Sequence, residues 1–344
     1  MKALVKQAKG PGNMALLDVA EPRVGPGQVK VKIAHAGICG TDVHIASGEF
    51  FHYFPPLVLG HEFSGEVVET GAGVEGIPLG ARVTAEPTKS TCRVCPHCIS
   101  GRYNRCEKRD IAGVVSNGAF TDYVVTRAES IHRLPDSVSL KAAALSEPLA
   151  VCVHGVCEQC SVREGDFVLI MGPGAIGLGC AQVAIAHGAR VMVAGAAKDA
   201  HRLALARSLG AEWTVNVEKE NVLDRALAVT KGWGVDLAVE AAGAPGVLEV
   251  CVEAVRKGGE ILQVGLPGAP VPVDMDRLAF KEIRLIGTFG QKRSAWLLAL
   301  ELLKTGRVDA EAMVSDMLPL DEWERGFDIM ARGAGLKVLL APEG

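Results

Sequence analysis

The chain has 344 residues, of which 49% are hydrophobic and 22% charged, and it carries a net charge of −4 at pH 7. That length suits two domains of ordinary size, and the composition is that of a globular protein, not of a fibre or a disordered chain. The slightly acidic balance gives no footprint for nucleic acid or an anionic membrane, so a polyphosphate cofactor would have to be held by local features.

The N-terminus MKALVKQAKGPGNMALLDV lacks the unbroken apolar stretch of a secretory signal, and no window approaches the roughly 18 apolar residues of a membrane span. A cytoplasmic protein is expected. Ten cysteines in such a chain point to metal or chemistry and not to a disulfide scaffold.

The first third reads as short strands between turns: QVKVKIAHAGI (28–38), FSGEVVETG (63–71), ARVTAE (81–86) and AFTDYVVT (119–126). That is all-β texture. From about 165 the texture changes. DFVLIMG (166–172) is a buried-strand run, followed by a Gly-rich turn and the helical IGLGCAQVAIAHG (176–188). ARVMVAG (189–195) and AHRLALARSLG (200–210) repeat strand and helix, and VDLAVEAAG (235–243) and GGEILQVGLPG (258–268) continue the theme. Alternation on this scale predicts a doubly wound parallel sheet. SAWLLALELLKTG (294–306) reads as a helix and GLKVLLAP (335–342) as a strand. We place domains at 1–150 and 151–290, with 291–344 returning to complete the first.

Gly172, Gly174 and Gly177 stand in G-x-G-x-x-G spacing between a strand and a helix. The first glycine permits the tight turn, the second lets a pyrophosphate approach the backbone, and the third lets helix and strand pack closely. Ala175 and Ile176 complete the turn. An NAD site wants an acid at the end of the next strand to bind the ribose hydroxyls. This strand ends Val193-Ala194-Gly195-Ala196-Ala197-Lys198, and its first carboxylate, Asp199, falls a little beyond the strand. Lys198 and Arg202 stand where a 2′-phosphate could be neutralised, beside Ala197. The cofactor is NAD or NADP, with the choice tilted towards NADP.

Cys92, Cys95, Cys98 and Cys106 form C-x2-C-x2-C-x7-C, spacing that closes a tetrahedral all-thiolate shell of structural zinc. The bacterial iron–sulfur run has a shorter last spacer followed by proline, where this chain has Glu107. A second set is dispersed: Cys39, His61-Glu62 and Glu147. One thiolate, one imidazole and a carboxylate leave a catalytic zinc an open position and more Lewis acidity than four thiolates would.

These motifs, in this order, resemble those of the zinc-containing medium-chain dehydrogenases, along essentially the whole chain. They are C-G-T-D-x-H at 39–44, G-H-E at 60–62, the four-cysteine lobe, E-P-L at 147–149 and the G-x-G-x-x-G turn. Glu62 after the histidine and the E-P-L-A segment resemble the sorbitol, other polyol and threonine dehydrogenase branch. The resemblance implies a GroES-like β-barrel catalytic domain beside a Rossmann domain, with the active site in the cleft between them.

The resemblance further implies that Cys39, His61 and Glu62 ligate the catalytic zinc, with Glu147 approaching directly or through water. Thr41 and His44 would relay the substrate proton, and Val264, Gly265 and Leu266 would meet the nicotinamide carboxamide. Two zincs per chain are expected, with a homotetramer, or second a homodimer, and a small alcohol or polyol substrate. No nucleic-acid or membrane partner is expected. L-threonine 3-dehydrogenase, a simple alcohol dehydrogenase and a non-catalytic dinucleotide-binding protein are the alternatives.

Sorbitol dehydrogenases carry an arginine after the Phe of a G-x-F segment, whereas Gly290 follows Phe289 here, so a replacement contact would come from Gln291, Lys292 or Arg293. Phe50, Phe51, Tyr53, Phe120 and Phe289 are open to either role, shaping a substrate pocket or packing. Cys152, Cys157 and Cys160 read as packing thiols.

Overall fold

A computed structural model describes residues 1–50 and 52–342, so Phe51 lies outside the described residues. The chain divides into two compact units. The first comprises Met1–Glu147, Lys292–Lys304 and Ala310–Gly344, and the second Pro148–Gln291 and Thr305–Asp309. No helix among the described residues is long and apolar enough to cross a membrane.

The first unit is built on the GroES-like barrel. Its central strand, Gln28–Gly37, is the QVKVKIAHAG run, with alternate residues Val29, Val31 and Ile33 buried. It pairs antiparallel with Glu62–Thr70, Tyr123–Arg127 and the C-terminal Val338–Ala341. That last pairing sets Leu339 opposite Gly37, and so carries the residue before the strand, Lys337, back to the beginning of the fold. Tyr53 and Phe120 belong to this unit's core: the Tyr53 hydroxyl accepts from the Gly10 N–H at 3.1 Å, and Phe120 meets Phe327 edge-on. For those two residues the packing role is the one observed. Phe50 packs against the same core, whereas Phe289 is exposed.

The second unit holds a six-stranded parallel sheet with its strands in the spatial order Trp213–Asn216, Arg190–Gly195, Phe167–Met171, Val235–Glu240, Val255–Gln263, Arg284–Gly287. Counted along the chain this is 3-2-1-4-5-6, the Rossmann order. The helix Ala175–Ala186 is apolar but for Gln182 and mostly buried, which explains why its sequence shows no polar stripe. Asp309 is tied to that helix through Gln182, whose amide accepts from the Asp309 N–H at 2.7 Å and donates to its carbonyl at 3.3 Å. Cys152, Cys160, Cys180 and Cys251 are buried, and burial pushes the Cys157 thiol up to about 12, so it stays protonated.

Candidate functional site

Where the strand Gln28–Gly37 gives way to the helix Gly40–Ser47, Cys39 stands as the helix N-cap residue. Asp42, fully buried, accepts from the Cys39 N–H at 2.9 Å with one oxygen and from the Gly60 N–H at 3.3 Å with the other. It thereby fastens the cysteine turn to the segment that carries His61 and Glu62. Its Oδ1 lies 3.7 Å from His61 Nδ1. Cys39, His61 and Glu62 end with one ligand atom each, all within 4.8 Å of one another.

Glu62 opens the strand Glu62–Thr70 and is fully buried. Lys337 Nζ donates to its two oxygens at 2.6 and 2.9 Å and to the Ile38 carbonyl at 3.2 Å. A Cβ on Gly37 would stand 2.4 Å from Glu62 Oε2, so only glycine leaves this carboxylate its place. Glu147 is buried but falls outside the three-residue donor group. Burial holds its carboxyl above the usual range, Glu62 adds to that, and His61, Lys337 and Arg109 oppose it.

This donor set fits a metal cation. Burial alone would depress the His61 imidazole, yet Asp42 and Cys39 outweigh it and raise that group well above its ordinary value. Lys337 is likewise held up, its burial overcome by Glu62 and Cys39. The pocket attracts positive charge even at full burial. The donors are one sulfur, one imidazole nitrogen and one carboxylate, a set that suits a divalent ion. His61 Nδ1 is also a buried nitrogen without a hydrogen-bond partner.

Thr41 and His44 share the helix Gly40–Ser47, three residues apart and so on neighbouring positions of one face. Thr41 is half-buried and His44 exposed. His44 Nδ1 lies 3.2 Å from Glu49 Oε2, a partner that the motif did not announce.

The second cluster is Cys92, Cys95, Cys98 and Cys106, again with ligand atoms within 4.8 Å of one another. Cys95 caps the short helix Pro96–Ile99. Backbone N–H groups donate to sulfur, from Cys95 to Cys92 at 3.3 Å and from Cys98 to Cys95 at 3.4 Å. Such donors, at Val94 and Cys95, bring the Cys92 thiol down to about 6. Cys95 is pushed up to about 11, because lost hydration and the neighbouring thiols outweigh the Cys98 amide. Four sulfurs packed this closely cannot all ionise without a cation among them, so this set also fits a metal.

The second unit presents a groove of about 1110 Å³ lined by Gly172, Pro173, Gly174, Lys198, Asp199 and Arg202, among others. Gly172 has φ +105°, and a Cβ there would meet the Ala242 nitrogen at 2.8 Å. On Gly177 it would stand 1.9 Å from the Gly172 oxygen. Gly174 differs, since a Cβ there would meet nothing within 4 Å. It caps the helix Ala175–Ala186 with no side-chain bond, so open space faces unpaired N–H donors. A dinucleotide pyrophosphate fits that place.

Asp199 does not reach out of the turn. It accepts from the Ala196 N–H at 3.2 Å and lies 3.3 Å from Arg202 Nη1, so Arg202 lines the groove with part of its charge already engaged. Lys198 is exposed. Ala175, Ile176, Gly177 and Ala197 adjoin the groove in sequence without lining it. Val264, Gly265 and Leu266 follow the strand Val255–Gln263 and lie outside the groove lining, with the Val264 and Gly265 N–H groups donating to the Glu240 carbonyl. In the first unit, Arg293 donates to the Glu129 carbonyl at 2.7 Å and faces Glu86 at 3.6 Å.

Residues 25–136 match the alcohol dehydrogenase GroES-like domain, and residues 175–305 match the zinc-binding dehydrogenase family. The chain is 41% identical to a D-arabitol-phosphate dehydrogenase of Enterococcus avium, over 99% of this chain and 97% of that one. It is 39% identical to a sorbitol dehydrogenase of Halalkalibacterium halodurans, over 99% of both. A zinc-binding dehydrogenase of Sinorhizobium meliloti, solved bound to NADP, superposes with a TM-score of 0.91 at 33% identity, over 99% of both chains. With both units, both donor clusters and the glycine turn in place, the chain belongs to the zinc-binding alcohol dehydrogenase family, in its sorbitol and threonine dehydrogenase-like branch.

Proposed function

We propose that this dehydrogenase transfers a hydride between a secondary alcohol, specifically a polyol or sugar alcohol, and NADP in preference to NAD. The observation that carries the reading is the convergence of Cys39, His61 and Glu62 on one point within 4.8 Å. Those residues would hold the catalytic zinc, with Glu147 beside them, and Cys92, Cys95, Cys98 and Cys106 would hold a second, structural one. Bound there, zinc supplies Lewis acidity to an alcohol oxygen.

The protein's own groups do the rest. Asp42 fixes the turn that carries Cys39 and faces His61, as carboxylates behind metal-binding histidines do. Lys337 holds Glu62 in one orientation. Thr41 relays the proton, taking one from the substrate hydroxyl as it gives its own towards His44, which stands at the surface and passes a proton to water. Gly172, Gly174 and Gly177 shape the pyrophosphate turn, and Val264, Gly265 and Leu266 would receive the nicotinamide.

The lean to NADP rests on Gly195 at the strand end, where NAD sites place an acid, and on exposed Lys198. The polyol reading rests on the relatives that act on sorbitol and arabitol phosphate. A homotetramer, or second a homodimer, is supported by the edge strand Arg284–Gly287, which among the described residues is paired on one side alone, with Leu285 and nearby Phe280 exposed. Free thiols in a zinc lobe suit a reducing cytoplasm. The test is a panel of polyols, threonine and simple secondary alcohols with both cofactors. Turnover highest on polyols with NADP supports the reading. Threonine as the best substrate, or no turnover on any, refutes the substrate class.

A further inference from the structure

The acid that NAD sites place at the end of the second strand cannot stand at Gly195. A Cβ there would meet Pro173 Cγ at 2.7 Å and Asp199 Cβ at 3.3 Å. Asp199 is engaged by the Ala196 N–H and Arg202. A different carboxylate occupies the neighbourhood. The sheet register sets Asn216 opposite Gly195, and the Val217 N–H donates to the Gly195 carbonyl at 3.0 Å. Two residues past that pairing comes Glu218, whose own N–H is held by Asn216 Oδ1 at 3.0 Å. From this fixed turn the Glu218 side chain reaches back and accepts from the Ala197 N–H at 3.0 Å. Glu218, Lys198 and Arg202 all line the same groove as Gly174.

We propose that Glu218 is a cofactor-selectivity residue, an acid supplied from the neighbouring strand that weighs against a 2′-phosphate. This rests on the dinucleotide reading of the groove. A ribose 2′-hydroxyl can donate to the Glu218 carboxylate. A 2′-phosphate instead competes with that carboxylate for the Ala197 N–H and is repelled by it, while Lys198 attracts the phosphate. Glu218 and Lys198 therefore set the NADP-to-NAD preference by opposing effects, and the Asn216 bond to the Glu218 N–H fixes the backbone from which the carboxylate reaches Ala197. The sequence motif could not show this, because it reads only the strand that carries the Gly-rich turn and the one after it, and Glu218 follows a third.

The test is calorimetric binding of 2′,5′-ADP and 5′-AMP to the full-length protein, wild type against Glu218→Gln and Lys198→Ala, with no turnover involved. Both positions are exposed, so both variants should fold. Removing the Glu218 charge should tighten 2′,5′-ADP by about tenfold and leave 5′-AMP equal or weaker. Lys198→Ala should weaken 2′,5′-ADP by about tenfold with 5′-AMP unchanged. Equal changes for both ligands in Glu218→Gln, or none, overturn the selectivity role while leaving the groove as a dinucleotide site. Failure of the wild type to bind either ligand overturns the dinucleotide reading itself, and this proposal with it.

Discussion

Replacing Lys337 by methionine probes the buried pair on which the donor group leans. Lys337 and Glu62 side chains are 3% and 0% exposed, and the ammonium makes two charge-assisted bonds to Glu62 and one to the Ile38 carbonyl. Methionine fills similar volume but leaves the carboxylate uncompensated. Removing one partner of such a pair costs about 3–5 kcal/mol, far more than the net worth of the intact pair. For a unit of this size each kcal/mol moves the melting point by about 2–4 °C, so a fall of at least about 6 °C is expected. The assay is scanning calorimetry on wild type and variant after the same chelator treatment, so that no metal compensates Glu62, following the transition of the first unit. Glu62→Gln combined with Lys337→Met should recover much of the stability, since it removes both charges, without recovering turnover. A melting point within about 2 °C of wild type for Lys337→Met would refute the reasoning.

Gly37→Ala pushes a methyl to 2.4 Å from Glu62 Oε2, so turnover should fall while zinc in the four-cysteine lobe persists, checked by metal analysis beside kinetics. Asp42→Asn should weaken binding at the Cys39 centre by about 10–100-fold, read by competition with a chelator. Gly174→Ala meets no protein atom, so it should leave the melting point unchanged yet weaken dinucleotide affinity by about tenfold or more, whereas Gly177→Ala, 1.9 Å from the Gly172 oxygen, should lower the melting point as well. Cys95→Ser should cost the lobe its metal and lower the melting point, because the lobe closes on its thiols and not on an apolar core.

The parallel sheet and the barrel strands were legible because their residues announce themselves locally. The run Phe167–Met171 is apolar throughout, and Gln28–Gly37 alternates. The edge strand Trp213–Asn216 was not, being four residues long with Val215 alone fully buried. The four-cysteine set was read from its spacing, and Cys39, His61 and Glu62 from a resemblance, but the groups that hold them were not read at all. Lys337 lies 275 residues from Glu62 and meets it only because the C-terminal strand returns to Gln28–Gly37. Asp42 was visible inside C-G-T-D-x-H, yet nothing in a linear motif says that it would bond Cys39 and Gly60 together. Asp199, the sequence candidate for the ribose, is spent on its own turn, and the carboxylate facing that position comes from another strand.

Under the proposed function, two metal sites share this chain and only one serves the chemistry. Zinc content and alcohol oxidation, measured together on the wild type and on Cys39→Ser, test it most directly. Two zincs per chain are expected in the wild type, and in Cys39→Ser one zinc, no turnover and retained dinucleotide binding. Wild-type turnover by Cys39→Ser, or a single zinc in the active wild type, would contradict it.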